Sequence, residues 1–514
     1  GASLIGLNPL HALFLHNPEQ ASPYSPSSRL FLSPLYLDVE AIPEFGQNGV
    51  AQEQVAQPAF QERLAGLRRV PLVDYGGVWT VKRLILEELY RGFLARPDAA
   101  RARDFQHYQE QRGAALRNYA LHEALQEHFH TQDPSIWGWP LWPEDFQTPN
   151  SPGARTFAKT HAPRVGFFMY LQWQAEEQLE RAGQRARTRL GIGLYRDLAV
   201  GVDRAGAETW SDQALYLEGV SVGCPPDDFN RQGQDWGLPP PRASTLRAQH
   251  YLPFIQTLDA NMRAAGALRI DHVMGLFRLF LIPDHAAAAD GTYIHYPVED
   301  LFRLLAQSSF ARKCLIVGED LGTVPPEISR IMAQFRVLSY RLLYFEQDSA
   351  GFRVPEHYPS EALVAATTHD LPTLAGFWQE TDLAERHALG LFPSPELEAR
   401  LRHERARDRS RLWSALQARG SVPGNAPPPA KADARLMLGV YTYLAQTPAK
   451  LLLVQLEDLL LAEQAVNLPG TVSERPNWRR KLECPLEQLP QALCAQLADH
   501  MRAAGRGARP LAGD

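Results

Sequence analysis

The chain has 514 residues, 45% of them hydrophobic and 21% charged, an ordinary globular composition with ample material for a large core. Its net charge of −6 offers no basic surface for nucleic acid or an anionic membrane, and no apolar run reaches the ~18 residues of a membrane span. Four cysteines (Cys224, Cys314, Cys484, Cys494) show no CxxC pair and no zinc spacing, which fits a reduced, cytoplasmic setting without a structural metal.

The chain begins in the apolar run SLIGLNPLHALF, without the basic start and cleavage site of a signal peptide. A first strand is predicted at 4–9. Residues 38–190 are rich in Ala, Leu, Glu, Arg and Gln and read as a helical insertion. A second strand follows in GIGLYRDLAV (191–200), then a Pro- and Gly-rich loop, VGCPPDDFNRQGQDWGLPPP (222–241). A helix is predicted over 252–265, with Ile255, Leu258 and Met262 on one face and Gly266 as its stop. Next come a strand at 267–272, a long loop, and a helix over 298–312 with Leu301, Phe302, Leu304 and Leu305 facing inward. After a strand at 314–319, Pro325 and Pro326 open another helix. Strands at 337–345, 363–369 and 451–457 complete the set, with a second helical insertion at 371–450 and an exposed loop at 420–432.

Seven strands alternating with helices indicate a parallel α/β fold. An open doubly wound sheet is the alternative to an eight-stranded (β/α)8 TIM barrel. Three apolar runs end in a carboxylate: ALRID at Asp271, CLIVGED at Glu319 and Asp320, and LVAATTHD at Asp370. An acid at the tip of a buried parallel strand is costly without a partner or a task. Barrel strand tips share one active-site face, so acids on several tips favour the barrel. Residues 1–514 then form one catalytic domain with the two insertions.

Arg269 and Asp271 lie two apart on one strand and project to the same face. An Arg beside an Asp keeps it ionised, as a nucleophile must be; the same pair is equally an ordinary structural ion pair. Glu319 ends an apolar strand, which suits a general acid with a raised pKa, whereas Asp320 faces the other way. His369 and Asp370 end a third strand, where they serve either sugar hydroxyls or local capping. Two carboxylates about 5–5.5 Å apart are the signature of retaining glycoside chemistry.

At these residues the chain resembles the 4-α-glucanotransferases (amylomaltases, or disproportionating enzymes) of glycoside hydrolase family 77. The matching segments are NPLHALF, SPYSPSSRLFLSPLYLD, GLYRDLAVGV, GQDWGLPP, ALRIDHVMGL, YIHYPVEDL, VGEDLGTVP, ATTHDLPT and NLPGT…NWRRK, spanning residues 8 to 481. The resemblance implies Asp271 as nucleophile, Glu319 as general acid/base and Asp370 as transition-state stabiliser. It implies that Arg269 and His369 bind the donor sugar, that Tyr24 stacks at the cleavage point, and that Trp236 and Gln234 touch the acceptor. It implies further that either Asp197 or Asp203 is a substrate-binding acid near the third strand. The implied substrates are maltooligosaccharides and α-1,4-glucans, with no cofactor and no nucleic-acid or membrane partner. Other readings are an amylase-like hydrolase and an inactive glucan-binding fragment. Asp235 stands where the family more often has Asn, and NLPGT…NWRRK serves either loop structure or sugar contact. Family members carry a first barrel strand with a Trp/Gly/Asp-rich loop ahead of NPLHALF, so the resemblance implies that this sequence belongs to a longer protein.

Overall fold

A computed structural model describes residues 1–17, 20–95, 98–226, 232–322 and 324–507. The chain divides into two compact units, residues 5–315 and residues 316–514 with the first four. All seven expected strands are present: Leu4–Gly6, Gly193–Leu198, Leu315–Gly318, Ser339–Leu342, Ala362–Ala365 and Leu451–Leu453 are shorter than expected, and Ala265–Ile270 is shifted two residues toward the N-terminus.

In the first unit Gly193–Leu198 and Ala265–Ile270 pair in parallel, and every residue of both is buried. Their register sets Arg196 opposite Leu268 and Asp197 opposite Arg269. Alternation then sends the two neighbours apart. Arg196 turns toward the end of the helix Leu252–Met262, where Nη1 donates to Ala260 O (2.9 Å) and Asn261 O (3.1 Å). A guanidinium suits the unsatisfied carbonyls of a helix C-terminus. Burial pulls its pKa down to about 10.

Three expectations are corrected here. The helix ends at Met262, and Gly266 lies inside the next strand. A Cβ on Gly266 would fall 1.7 Å from Ile192 O, so this glycine serves close strand packing rather than a helix stop. The 222–241 segment is not only loop, and neither is the stretch after residue 272. The strand Val220–Cys224 runs into the first, which also holds Gln234–Leu238, and the second holds Arg278–Pro283 and Thr292–His295. These strands form an antiparallel sheet in the order Gln234–Leu238, Val220–Cys224, Arg278–Pro283, Thr292–His295. Pro and Gly punctuate the hairpin ends and hide the short strands between them. The helix Val298–Arg312 has the predicted bounds.

Residues 38–190 hold the helices Gly49–Ala56, Pro58–Arg69, Tyr75–Ala95, Ala99–Gln132, Pro152–Thr160 and Ala162–Leu190. They bury Trp79, Leu86, Phe93, Tyr119, Trp142, Phe168, Tyr170 and Trp173 in one core. The insertion also reaches the strand Ser28–Leu32, just beyond Tyr24. Gln172 accepts from Leu32 N (3.0 Å) and donates to Leu32 O (2.8 Å), so its buried amide completes the edge of that strand.

In the second unit the parallel order is Leu315–Gly318, Ser339–Leu342, Ala362–Ala365, Leu451–Leu453. Gly318 N donates to Leu338 O (2.8 Å) and Leu338 N to Ile316 O (2.9 Å), which joins the first strand to the second. Residues 371–450 supply the helices Leu374–Gln379, Thr381–Ala388, Pro395–Ala418 and Ala434–Ala445. Leu412, Leu416, Leu436, Val440, Tyr441 and Leu444, none more than 0% exposed, fill the core beneath them. Most of the 420–432 loop is exposed, but Ser421 and Val422 are buried.

Candidate active site

Asp271 follows the last paired residue of its strand, and its N–H bonds Leu198 O at 3.0 Å. Arg269, two residues earlier, projects to the same side. Its Nη1 lies 2.8 Å from Asp271 Oδ1 and 2.8 and 2.9 Å from the two oxygens of Asp197. One guanidinium nitrogen thus serves two carboxylates from two adjacent strands, and the parallel register puts it there. The side chains of Arg269, Asp197 and Asp271 are 9%, 8% and 17% exposed. Two acids and one base leave the cluster one formal negative charge in excess.

Tyr24 closes this cluster. Its hydroxyl donates to Asp197 Oδ2 at 2.6 Å, and its ring centroid lies 6.0 Å from the Arg269 guanidinium carbon. Burial, and then the neighbouring Asp197 charge, push the phenol well above its usual pKa, so it remains a donor. The segment that carries Tyr24 is tied down by Asp203. Asp203 N donates to Pro26 O (2.8 Å), while its carboxylate accepts from Ser25 Oγ (3.1 Å), Ala205 N (2.8 Å) and Gln20 Nε2. Burial raises the Asp203 pKa. Gly206 is needed nearby, because a Cβ there would meet Ser27 O at 2.4 Å. Of the two acids that sequence left open, Asp197 sits in the Arg269–Tyr24 cluster and Asp203 holds the loop.

Gln234 and Trp236 lie on the antiparallel hairpin, two apart and on one face. Trp236 Nε1 donates to Gln234 Oε1 at 3.0 Å, and the indole meets the His272 ring edge-on at 5.2 Å. Burial, with Arg278 nearby, lowers the His272 pKa to about 4, so the ring is neutral near pH 7. Asp235 turns the other way and accepts from Ser221 Oγ (2.5 Å) and Gly237 N (2.8 Å). The residue that departs from the family pattern thus serves its own hairpin.

In the second unit Glu319 stands just beyond its strand, 8% exposed, with Oε1 accepting from Leu321 N at 2.8 Å. Asp320 points elsewhere, as alternation predicts. It accepts from Tyr340 N (2.8 Å) and Arg341 Nη2 (3.1 Å), and burial raises its pKa. Asp320 therefore stitches two strands together.

His369 and Asp370 are not at the end of a strand, contrary to expectation. The strand stops at Ala365 and both residues occupy the following turn. The two threonines cause this. Thr367 Oγ1 donates to Pro372 O (2.8 Å) and Thr368 Oγ1 accepts from Asp370 N (3.3 Å), bonds that compete with a ladder. His369 Nε2 lies 3.2 Å from Asp370 Oδ2. Sequence reasoning did not single out Asn467 or Trp478, whose motif it assigned to loop closure or sugar contact. Asn467 Nδ2 donates to Asp370 Oδ1 at 2.7 Å, and the Trp478 ring lies 5.1 Å from that of His369. Their presence in NLPGT…NWRRK was the available signal. Among the described residues, no group of three or more His, Cys, Asp or Glu is placed to hold a metal ion, and no helix is long and apolar enough to cross a membrane.

The profile of the family described as 4-alpha-glucanotransferase matches residues 1–487. A 4-alpha-glucanotransferase of Haemophilus influenzae is 39% identical over 498 residues, covering 95% of this chain and 71% of that protein. One from Mycobacterium bovis is 37% identical over 530 residues, covering 98% and 70%. The crystal structure of amylomaltase from Corynebacterium glutamicum superimposes with a TM-score of 0.84 at 30% identity, over 98% of this chain and 70% of that one. The fold is also that of an amylomaltase from Streptococcus agalactiae in complex with acarbose, with a TM-score of 0.74 at 18% identity, over 98% and 92% of the two chains.

Proposed function

Because this chain belongs to the 4-α-glucanotransferase family, glycoside hydrolase family 77, we propose that Asp271 is its nucleophile, Glu319 its general acid/base and Asp370 its transition-state stabiliser. The protein is a 4-α-glucanotransferase with that family's (β/α)8 barrel fold and helical insertions. It moves α-1,4-glucan segments from one glucan to another by retaining double displacement. In the first step Glu319 gives its proton to the glycosidic oxygen as Asp271 attacks the anomeric carbon, which forms a glycosyl ester and frees the reducing-end fragment. In the second step the 4-hydroxyl of an acceptor glucan gives its proton to Glu319 and attacks the same carbon, releasing Asp271. The carboxylates supply nucleophile and proton, so the reaction calls for no cofactor.

The observation that supports Asp271 as the nucleophile is the single Arg269 nitrogen shared by Asp197 and Asp271. It favours the charged form of the attacking carboxylate and aims it from a strand end. We assign sugar binding to Asp197, with Tyr24 as the stacking ring and Arg269 and His369 as donor-sugar contacts. The Asp203 carboxylate instead fixes the Tyr24 loop. Trp236 and Gln234 would receive the acceptor, since an indole suits the apolar face of glucose. We further propose that residues 1–514 act as one catalytic domain on maltooligosaccharides in the cytoplasm, without nucleic-acid or membrane partners.

Incubation with maltotriose tests the reading. Transfer yields glucose and longer oligomers with no net rise in reducing ends. A steady rise identifies an amylase-like hydrolase instead. Glucan binding without turnover, in the wild type and in Asp271→Asn alike, identifies a non-catalytic glucan-binding fragment.

A further inference from the structure

The chain beyond the last strand returns to the His369–Asp370 turn, and one residue there touches both halves of it. Asn467 N donates to His369 O at 3.2 Å, and Asn467 Nδ2 donates to Asp370 Oδ1 at 2.7 Å. The other carboxylate oxygen, Oδ2, faces His369 Nε2 at 3.2 Å. The two oxygens are thereby distinguished, one held by an amide and the other beside an imidazole.

This orientation has to come from outside the strand. Asp370 sits in a turn five residues past Ala365, and its side chain is 45% exposed. A carboxylate in that setting samples several rotamers unless a neighbour fixes it. Asn467 stands on a built base. Asn477 Oδ1 accepts from Leu468 N (3.1 Å) and Arg475 Nη1 (2.9 Å), and its Nδ2 donates to Thr471 O (3.0 Å) and Thr471 Oγ1 (2.8 Å). Arg475, whose side chain is 1% exposed, donates in turn to Glu385 Oε1 at 2.9 Å. The donor therefore sits on a loop pinned by the side chains of Asn477 and Arg475.

We propose that Asn467 is a positioning residue for Asp370, whose amide N–H fixes the carboxylate rotamer and favours its ionised form. A neutral amide suits this task. It donates to an acceptor-only carboxylate without cancelling its charge, as Lys or Arg would, and without sharing a proton with it, as another acid would. The inference rests on the reading of Asp370 as the stabilising carboxylate.

The test measures disproportionation of maltotriose against pH for Asp370→Asn, Asn467→Ala, Asn467→Asp and Asn477→Ala. Asp370→Asn checks the underlying reading, which falls if that variant keeps more than about a tenth of wild-type kcat. Asn467→Ala lowers kcat about 10- to 100-fold with KM within about threefold, as misplacement of a catalytic group does. It moves the acid limb of kcat/KM upward by about one pH unit, and Asn467→Asp moves it further, through like charge. Asn477→Ala, which loosens the loop beneath Asn467 without touching Asp370, lowers the melting temperature and moves the acid limb in the same direction, by less than Asn467→Ala. An inactive Asp370→Asn beside Asn467 variants with wild-type kcat and acid limb overturns the inference alone. So does loss of fold in both Asn467 variants, which assigns Asn467 to structure.

Discussion

Replacing Arg269 by Met removes the one cation shared by two carboxylates while keeping most of the side-chain length. Arg269 Nη1 lies 2.8 and 2.9 Å from the oxygens of Asp197 and 2.8 Å from Asp271 Oδ1. At an effective dielectric near 20, unit charges about 4 Å apart interact by about 4 kcal/mol. The substitution turns two attractions into one repulsion among groups less than a fifth exposed. Breaking such a buried set costs about 3–5 kcal/mol. The variant relieves part of that cost by taking up a proton. About 3 kcal/mol corresponds to about two pH units, so the acid limb of kcat/KM rises by about two units. Urea unfolding at pH 7 should show a loss of about 3 kcal/mol. An unmoved acid limb together with a loss under about 1 kcal/mol at pH 7 would refute the claim that Arg269 sustains both charges.

Tyr24→Phe removes a 2.6 Å bond to a charged acceptor and leaves the ring. Such bonds contribute about 1.5–3 kcal/mol, so kcat/KM for maltotriose should fall about 10- to 100-fold, and an unchanged value would refute the role of the hydroxyl. Asp320→Asn weakens the link to Arg341 and the Tyr340 N–H, and should lower stability by about 2–4 kcal/mol in urea melts at unchanged kcat. Its counterpart Glu319→Gln should do the reverse, abolishing transfer at nearly wild-type stability. Asp458 is fully buried between Tyr441 and Leu374 N, and burial raises its pKa to about 6. A raised carboxyl pKa contributes stability below the unfolded value that is lost as pH rises through about 6. Asp458→Asn lacks that loss, so its stability relative to wild type should improve by about 3 kcal/mol between pH 4 and pH 7; a constant difference would show that Asp458 does not titrate there.

Much of the chemistry was legible in the sequence because strand periodicity is a local property. The run Arg269-Ile270-Asp271 fixes which side chains share a face, and the apolar strand before Glu319 and Asp320 predicts that these two part company. The helical composition of 38–190 and the Pro and Gly punctuation are equally local. Local reading failed where a long-range contact decided the outcome. Gly266 looks like a helix stop until Ile192 O is found 1.7 Å from where its Cβ would stand. Thr367 and Thr368 look like strand formers until their hydroxyls bond the turn that carries His369 and Asp370. Asp197 lies inside its strand and Asp203 lies beyond it, and the local sequence does not say which of them meets Arg269. Only the register of Gly193–Leu198 against Ala265–Ile270 sets Asp197 beside Arg269, and only the fold of the 20–27 segment gives Asp203 to Ser25 and Ala205. The sequence by itself determined which residues carry charge at the strand ends. The tertiary structure decided which of those charges meet, because pairing between segments seventy or more residues apart depends on register and loop closure that no local pattern encodes.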